Sequence, residues 1–163
     1  MSRVLVIGWG NPARGDDGLA WHALEQLAAE PLGEHVAVIL RHQLTPELAE
    51  GVQRAQRVLF VDASAQDPPG KLRCRRLGPR GCEASAFSHH LTPAALLALT
   101  QTLFGRCPEA FSLSVGGADF TFTEALSPQV RSSLPRLLRS IRRHVWGQTF
   151  TVDWQAVDAI NRH

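Results

Sequence analysis

The sequence predicts an α/β protein, a three-layer α/β/α sandwich built on a mostly parallel twisted sheet with one antiparallel edge strand. Three observations carry that expectation. Strand-sized apolar runs alternate with helical patterns along the chain, as in successive β-α-β units. Two of the runs, RVLVIGW at residues 3–9 and RVLFVDA at 57–63, are almost continuously apolar, as central parallel strands covered on both faces must be. Three later segments open with a hydroxyl residue followed by proline, a pair suited to the cap and first position of a helix.

Taken in order, the strand at 3–9 hands over through GWGNPARGDDG (8–18) to a helix striped by Leu19, Ala20, Ala23, Leu24, Leu27 and Ala28 at three-to-four spacing. A second strand follows at 35–41 (HVAVILR), and Thr45-Pro46 marks the next helix start. The third strand, 57–63, leads through the turn sequence QDPPG to KLRCRRL at 71–77, whose alternation predicts the antiparallel edge strand. Thr92-Pro93 opens a further helix, and AFSLSVG at 110–116 is the last strand. Ser127-Pro128 opens a final helix carrying Val130, Leu134, Leu137, Leu138, Ile141 and Val145, which Pro135 is expected to kink or to delay. No repeat or linker divides residues 1–147, read as a single α/β/α domain; residues 148–163 form a tail to which the pattern assigns no place.

Of the 163 residues, 44% are hydrophobic and 20% charged, an ordinary balance that supplies a sizeable core. The net charge of +2 is not gathered into one basic run, which argues against a nucleic-acid partner. No apolar run approaches membrane-spanning length and the N-terminus shows no signal-peptide pattern, so a cytoplasmic protein without a membrane partner is expected. Cys74, Cys82 and Cys107 are odd in number and form no CxxC pair, which indicates neither a disulfide framework nor a cysteine metal site. Chemistry must then come from carboxylates and imidazoles, or from one lone thiol.

Ligands of open α/β sheets gather at the carboxyl ends of the strands, near the point where strand order reverses. Asp16 and Asp17 follow the first strand and Asp62 ends the third, so carboxylates from separate strands can meet in one crevice. A helix start uses only one of two adjacent acids as a cap. His89 and His90, in FSHHLTP, precede another helix start and can close over the same rim. Two carboxylates and an imidazole suit a divalent first-row metal, with positions left open for water or for another molecule's ligands. A plainer reading stays open at this point, in which one aspartate caps a helix, Asp62 bonds loop amides and the histidines lie on the surface.

The stretches IGWGNPARGDDG, VLFVDAS, SHHLTPAALLALTQTLFG and FTEALSPQV, in this order from about residue 3 to about residue 145, resemble the nickel–iron hydrogenase maturation proteases. These are endopeptidases that trim the C-terminus of a hydrogenase large subunit. The resemblance places the family's metal-contacting acids on Asp17 and Asp62 and its histidine on His89, with His90 the alternative if the pair slips by one. Asp16 is then the loop-and-cap residue, Gly8 and Gly10 the turn-makers beneath the site, and Asn11 a loop-bonding residue. Some family members carry glutamate where Asp17 stands. The resemblance also implies that no cofactor is resident: nickel arrives in the substrate, between cysteines of the large-subunit precursor, and other divalent ions are able to occupy the site in isolation. Asp17 or Asp62 can act as general base, or the metal can polarise the scissile carbonyl or its water; metal-assisted hydrolysis is the favoured reading.

Other readings meet obstacles. Gly8, Gly10 and Ala13 also satisfy a dinucleotide-binding fingerprint, but Pro12 removes an amide and two aspartates would repel phosphate at the helix entrance. No serine elbow or zinc-protease helix offers a competing nucleophile, Ser88 is read as a loop residue, and the cysteines are read as idle. His42, in HQLTPE, is read as bordering a substrate groove. Arg131, Arg136, Arg139, Arg142 and Arg143 form a solvated helix face or, more sharply, a surface for docking the precursor. Arg142, Arg143 and His144 complement the helix dipole. A noncatalytic chaperone or binding module that recognises a metallated partner would use the same three ligands.

Overall fold

The computed structural model describes residues 4–79 and 91–147. Within them five strands form one sheet: β1 (Val4–Trp9), β2 (Val36–Arg41), β3 (Arg57–Ser64), β4 (Leu72–Leu77) and β5 (Glu109–Gly116). Their spatial order is β2-β1-β3-β5-β4. All neighbours run parallel except the β4–β5 pair, which is antiparallel and puts β4 at an edge. Four α-helices accompany the sheet among the described residues: α1 (Leu19–Ala28), α2 (Leu48–Arg54), α3 (Pro93–Phe104) and α4 (Pro128–Trp146).

Alternate residues of the central strands feed two separate cores, because successive side chains of a strand point to opposite faces. Val4, Val6, Leu59, Val61, Phe111, Leu113 and Val115 pack with α1 and α4. Leu5, Ile7, Val58, Phe60 and Ala110 pack with α2 and α3. The near-continuous apolar reading of β1 and β3 is the imprint of these two layers, and the fold is the expected α/β/α sandwich.

Helix starts follow their caps in two cases of three. Thr92 accepts the Ala95 amide at 3.1 Å and Ser127 the Val130 amide at 3.4 Å. Thr45 does not cap α2: the Thr45 carbonyl accepts the Leu48 amide and the helix begins at Leu48 behind Glu47. In α1, Leu19, Ala20, Ala23, Leu24 and Leu27 are buried, but Ala28 is exposed at the helix end. Pro135 neither delays nor interrupts α4, which runs from Pro128 onward; proline there removes one amide from the ladder.

The arginines of α4 are partly absorbed by the fold. Arg142 pairs with Glu30, Arg136 donates to the Gly70 carbonyl and Arg131 to that of Leu126. His144 is not a dipole-complementing surface cation. It is buried, its Nδ1 faces the Ser140 carbonyl at 2.7 Å, and burial pushes its pKa below the usual imidazole value. Among the described residues no helix is long and apolar enough to cross a membrane.

Candidate active site at the carboxyl ends of β1 and β3

Strand order reverses between β1 and β3: the chain leaves β1 for β2 on one side and β3 for β4, beyond β5, on the other. The loops following these two strands therefore diverge and open a crevice at their carboxyl ends, where such folds bind ligands. The first loop supplies Asp17 and the last residues of β3 include Asp62.

Gly8 and Gly10 serve this loop differently. Gly8 is not a turn residue; it lies within β1, and a Cβ there would come within 2.6 Å of Leu24 Cδ1 and 2.8 Å of Ala20 Cβ, so its bareness lets α1 sit close to the sheet. Gly10 is the turn: its φ is +137°, and a Cβ would lie 2.0 Å from the Asp17 carbonyl oxygen. The loop can fold back onto itself only around a residue without a side chain. Trp21 reaches from α1 to fix this point, its Nε1 donating to the Gly10 carbonyl at 2.8 Å, and the Trp21 ring meets His42 edge-on at 5.6 Å. His42 thus stands beside the residue that pins the loop.

The two adjacent aspartates occupy a short 3-10 turn, Gly15–Gly18, and point to different tasks. Asp16 is fully buried. One of its carboxylate oxygens accepts the amides of Ala118 at 2.7 Å and Asp119 at 2.9 Å, and the other accepts the Ser127 amide at 2.7 Å. It makes no cap to its own turn or to α1; it fastens the 117–127 loop and the start of α4 instead. Burial alone would push its pKa up, but the amides of Ser127, Ala118 and Asp119 outweigh burial and hold it below the usual aspartate value. Asp17 is half-buried, and its Oδ2 accepts the Asn11 amide at 2.8 Å. Asn11 in turn accepts the Ala13 amide through Oδ1 at 2.9 Å. The loop amide that a dinucleotide phosphate would seek is thus already taken by a carboxylate of the same chain.

Asp62 lies on the α2/α3 face of β3, opposite Ser114 of β5. Its pKa is pushed up to about 7, first by burial of the carboxyl, then by the negative charges of Asp17 and of Asp67. The Asp17 charge is thus close enough to act on the Asp62 carboxyl. Asp67 is a participant that sequence reasoning missed. It belongs to the QDPPG turn, is held by Ser64 Oγ through its amide at 3.2 Å, and is paired with Arg73 at 2.7 Å. An acid inside a proline- and glycine-rich turn carries no signal of an active-site neighbour, and neither does Trp21 on its helix.

His89, His90, Ser88 and Cys82 lie outside the described residues. Among the described residues no three histidine, cysteine, aspartate or glutamate side chains gather closely enough to hold a metal ion. Among the described residues, the loop after β1 and the end of β3 supply the two carboxylates Asp17 and Asp62. The thiols within the described residues are poor nucleophiles: burial pushes Cys74 up to about 12 and raises Cys107 as well.

Neither a protein-family model nor a curated protein matches the sequence. Solved structures do match its shape. The hydrogenase maturating endopeptidase HybD from E. coli superposes with a TM-score of 0.72 at 19% identity, covering 88% of this chain and 91% of that one. The fold is that of the hydrogenase maturation peptidases. The hydrogenase 2 maturation peptidase from Thaumarchaeota archaeon SCGC_AB-539-E09 superposes with a TM-score of 0.67 at 21% identity, over 89% of this chain and 99% of that one. The [NiFe] hydrogenase maturation protease HycI from Thermococcus kodakarensis KOD1 gives 0.70 at 17% identity, over 88% and 92%.

Proposed function

We propose that the chain is an endopeptidase of the hydrogenase maturation type, removing the C-terminal extension of a nickel–iron hydrogenase large-subunit precursor once nickel has been inserted. The observation that carries this reading is the acidic pair at the switch point, Asp17 and Asp62, with Asp62 raised to about 7 by burial and by its neighbours' charge. The shared fold of proteins named as hydrogenase maturation peptidases supports it.

Asp17 and Asp62 offer carboxylate oxygens to the nickel carried by the precursor, and His89 supplies the imidazole. Borderline divalent metals accept this mixture of oxygen and nitrogen donors, and a site of three ligands leaves the remaining positions to the substrate. Before the metal arrives, Asp62 is partly protonated near neutral pH. An incoming cation removes the penalty on its charged form, so the proton leaves as the metal engages. That coupling gives the site a physical means of telling loaded from unloaded precursor: the empty precursor brings no cation to displace the proton from Asp62. Hydrolysis is then metal-assisted: the nickel polarises the scissile carbonyl or its water, and a carboxylate oxygen of Asp17 or Asp62 that the metal does not hold takes the proton.

Purified protein mixed with nickel-loaded large-subunit precursor is expected to release the extension, seen as a discrete loss of mass, and to leave metal-free precursor intact. Binding of the loaded precursor with its mass unchanged would overturn the protease reading and leave a noncatalytic binding module of the same fold.

A further inference from the structure

On the α2/α3 side the sheet changes character as it passes from β1 and β3 to β5 and β4. Leu5, Ile7, Val58 and Phe60 are packed beneath the helices. The same face continues as Ser112 and Ser114 on β5 and Arg73 and Arg75 on β4, with Arg73 paired across the strands to Ser114 and Arg75 to Ser112. These four side chains, together with Asp62 and Thr92 at the start of α3, line an open cleft of about 450 Å³. The opposite face of the same strands is apolar, with Leu72, Cys74, Phe111 and Leu113 in the core. A strand pair apolar on one face and serine and arginine on the other is built to meet something polar on that side.

The cleft wall carries two arginines, Arg73 and Arg75, and two acids, Asp62 and Asp67, and among the described residues one ion pair, Arg73–Asp67, joins them. Arg73 pairs with Asp67 at 2.7 Å, yet its Nε is buried without a hydrogen-bond partner. Arg75 is exposed and has no ion pair or hydrogen bond among the described residues. Cations on an edge strand often serve only to repel further strands. That explains Arg76, which leans the other way toward Glu109 at 3.9 Å, but not two arginines facing inward over a cleft beside Asp62.

We propose that this cleft is a specificity subsite for the peptide being cut, taking an aspartate or glutamate side chain of the C-terminal extension onto Arg75, with Arg73 behind it. The inference rests on the protease reading above for the identity of the peptide. The extension is the occupant because the upstream side of the bond is tied to the metal-bearing body of the precursor, whereas the extension is free to lie across β5 toward β4. Two strand spacings, about 10 Å, separate β3 from β4, and an extended chain covers that span in about three residues. The acid therefore belongs about three residues beyond the scissile bond. A guanidinium is suited to hold it, through paired hydrogen bonds to a carboxylate.

The test separates this subsite from catalysis. The full chain, labelled with nitrogen-15, is titrated with the peptide acetyl-Gly-Ser-Asp-Ser-Gly-amide and with its asparagine isostere. The aspartate peptide is expected to shift the amides of β4 and β5 at least 10-fold more tightly than the isostere, and Arg75→Gln should remove that preference. Arg75→Glu should reverse it, favouring the corresponding lysine peptide, and the spectra themselves report whether each variant is folded. Equal binding of the aspartate and asparagine peptides would overturn the proposal in favour of charge-blind pairing along the β4 edge. Shifts confined to other elements, or a preference that survives Arg75→Gln, would overturn it too. None of these readouts needs cleavage, so failure of the protease reading would show separately, as intact precursor.

Discussion

Asp62→Asn is expected to cost about 10²–10⁴ in the rate of precursor processing, the span associated with loss of a positioned acid or base, while making the protein more stable at alkaline pH. The two effects have one origin. Asp62 has a folded pKa near 7, raised by burial and by Asp17 and Asp67, against an ordinary aspartate value of about 3.9. Its neutral form is therefore favoured by folding, and ionising it in the native state costs stability. As pH rises from about 4 through about 7 the wild type progressively loses that stability, and above 7 the loss is complete. Asparagine carries no charge to penalise, so the variant should exceed the wild type by about 1–3 kcal/mol at pH 8 and by little at pH 4. Urea unfolding at the two pH values measures this. A variant whose stability matches that of the wild type at both pH values, or one that processes precursor normally, removes Asp62 from the site's chemistry.

Asp16→Ala should produce the largest loss of stability of any single change in the loop, about 3–5 kcal/mol, lowering the melting temperature by roughly 10 °C. Three amides, those of Ala118, Asp119 and Ser127, would lose their acceptor in a fully buried place. The sign of the pH dependence is opposite to that of Asp62. The folded pKa of Asp16 is depressed, so its contribution is complete above the unfolded value and is lost as pH falls through the lower folded value. Thermal melts of wild type and variant should therefore differ most at neutral pH and converge in strong acid. Melts that coincide at neutral pH would show that water replaces the carboxylate without cost.

The layered fold was legible because it rests on periodicity. Continuous apolar runs at β1 and β3 and the alternating run at β4 are direct records of which faces are covered. The division of labour between Asp16 and Asp17 was less legible, since it depends on a loop more than a hundred residues further on, whose amides turn inward to meet Asp16. Gly8 looked like a turn residue because it shares a short motif with Gly10; only the approach of Leu24 and Ala20 distinguishes close packing from a bend. Asp67 was invisible for a similar reason. Its influence on Asp62 comes through space, from a turn whose sequence records only its geometry.

The central claim is that Asp17, in the loop after β1, and Asp62, near the end of β3, form one coupled site, and the most direct measurement of it is the titration of the Asp62 side chain by carboxyl-detected nuclear magnetic resonance in the wild type and in Asp17→Asn. The account predicts a midpoint near 7 that moves toward lower pH in the variant while burial keeps it above the ordinary aspartate range. A midpoint near 4, or one that Asp17→Asn leaves unmoved, would contradict it.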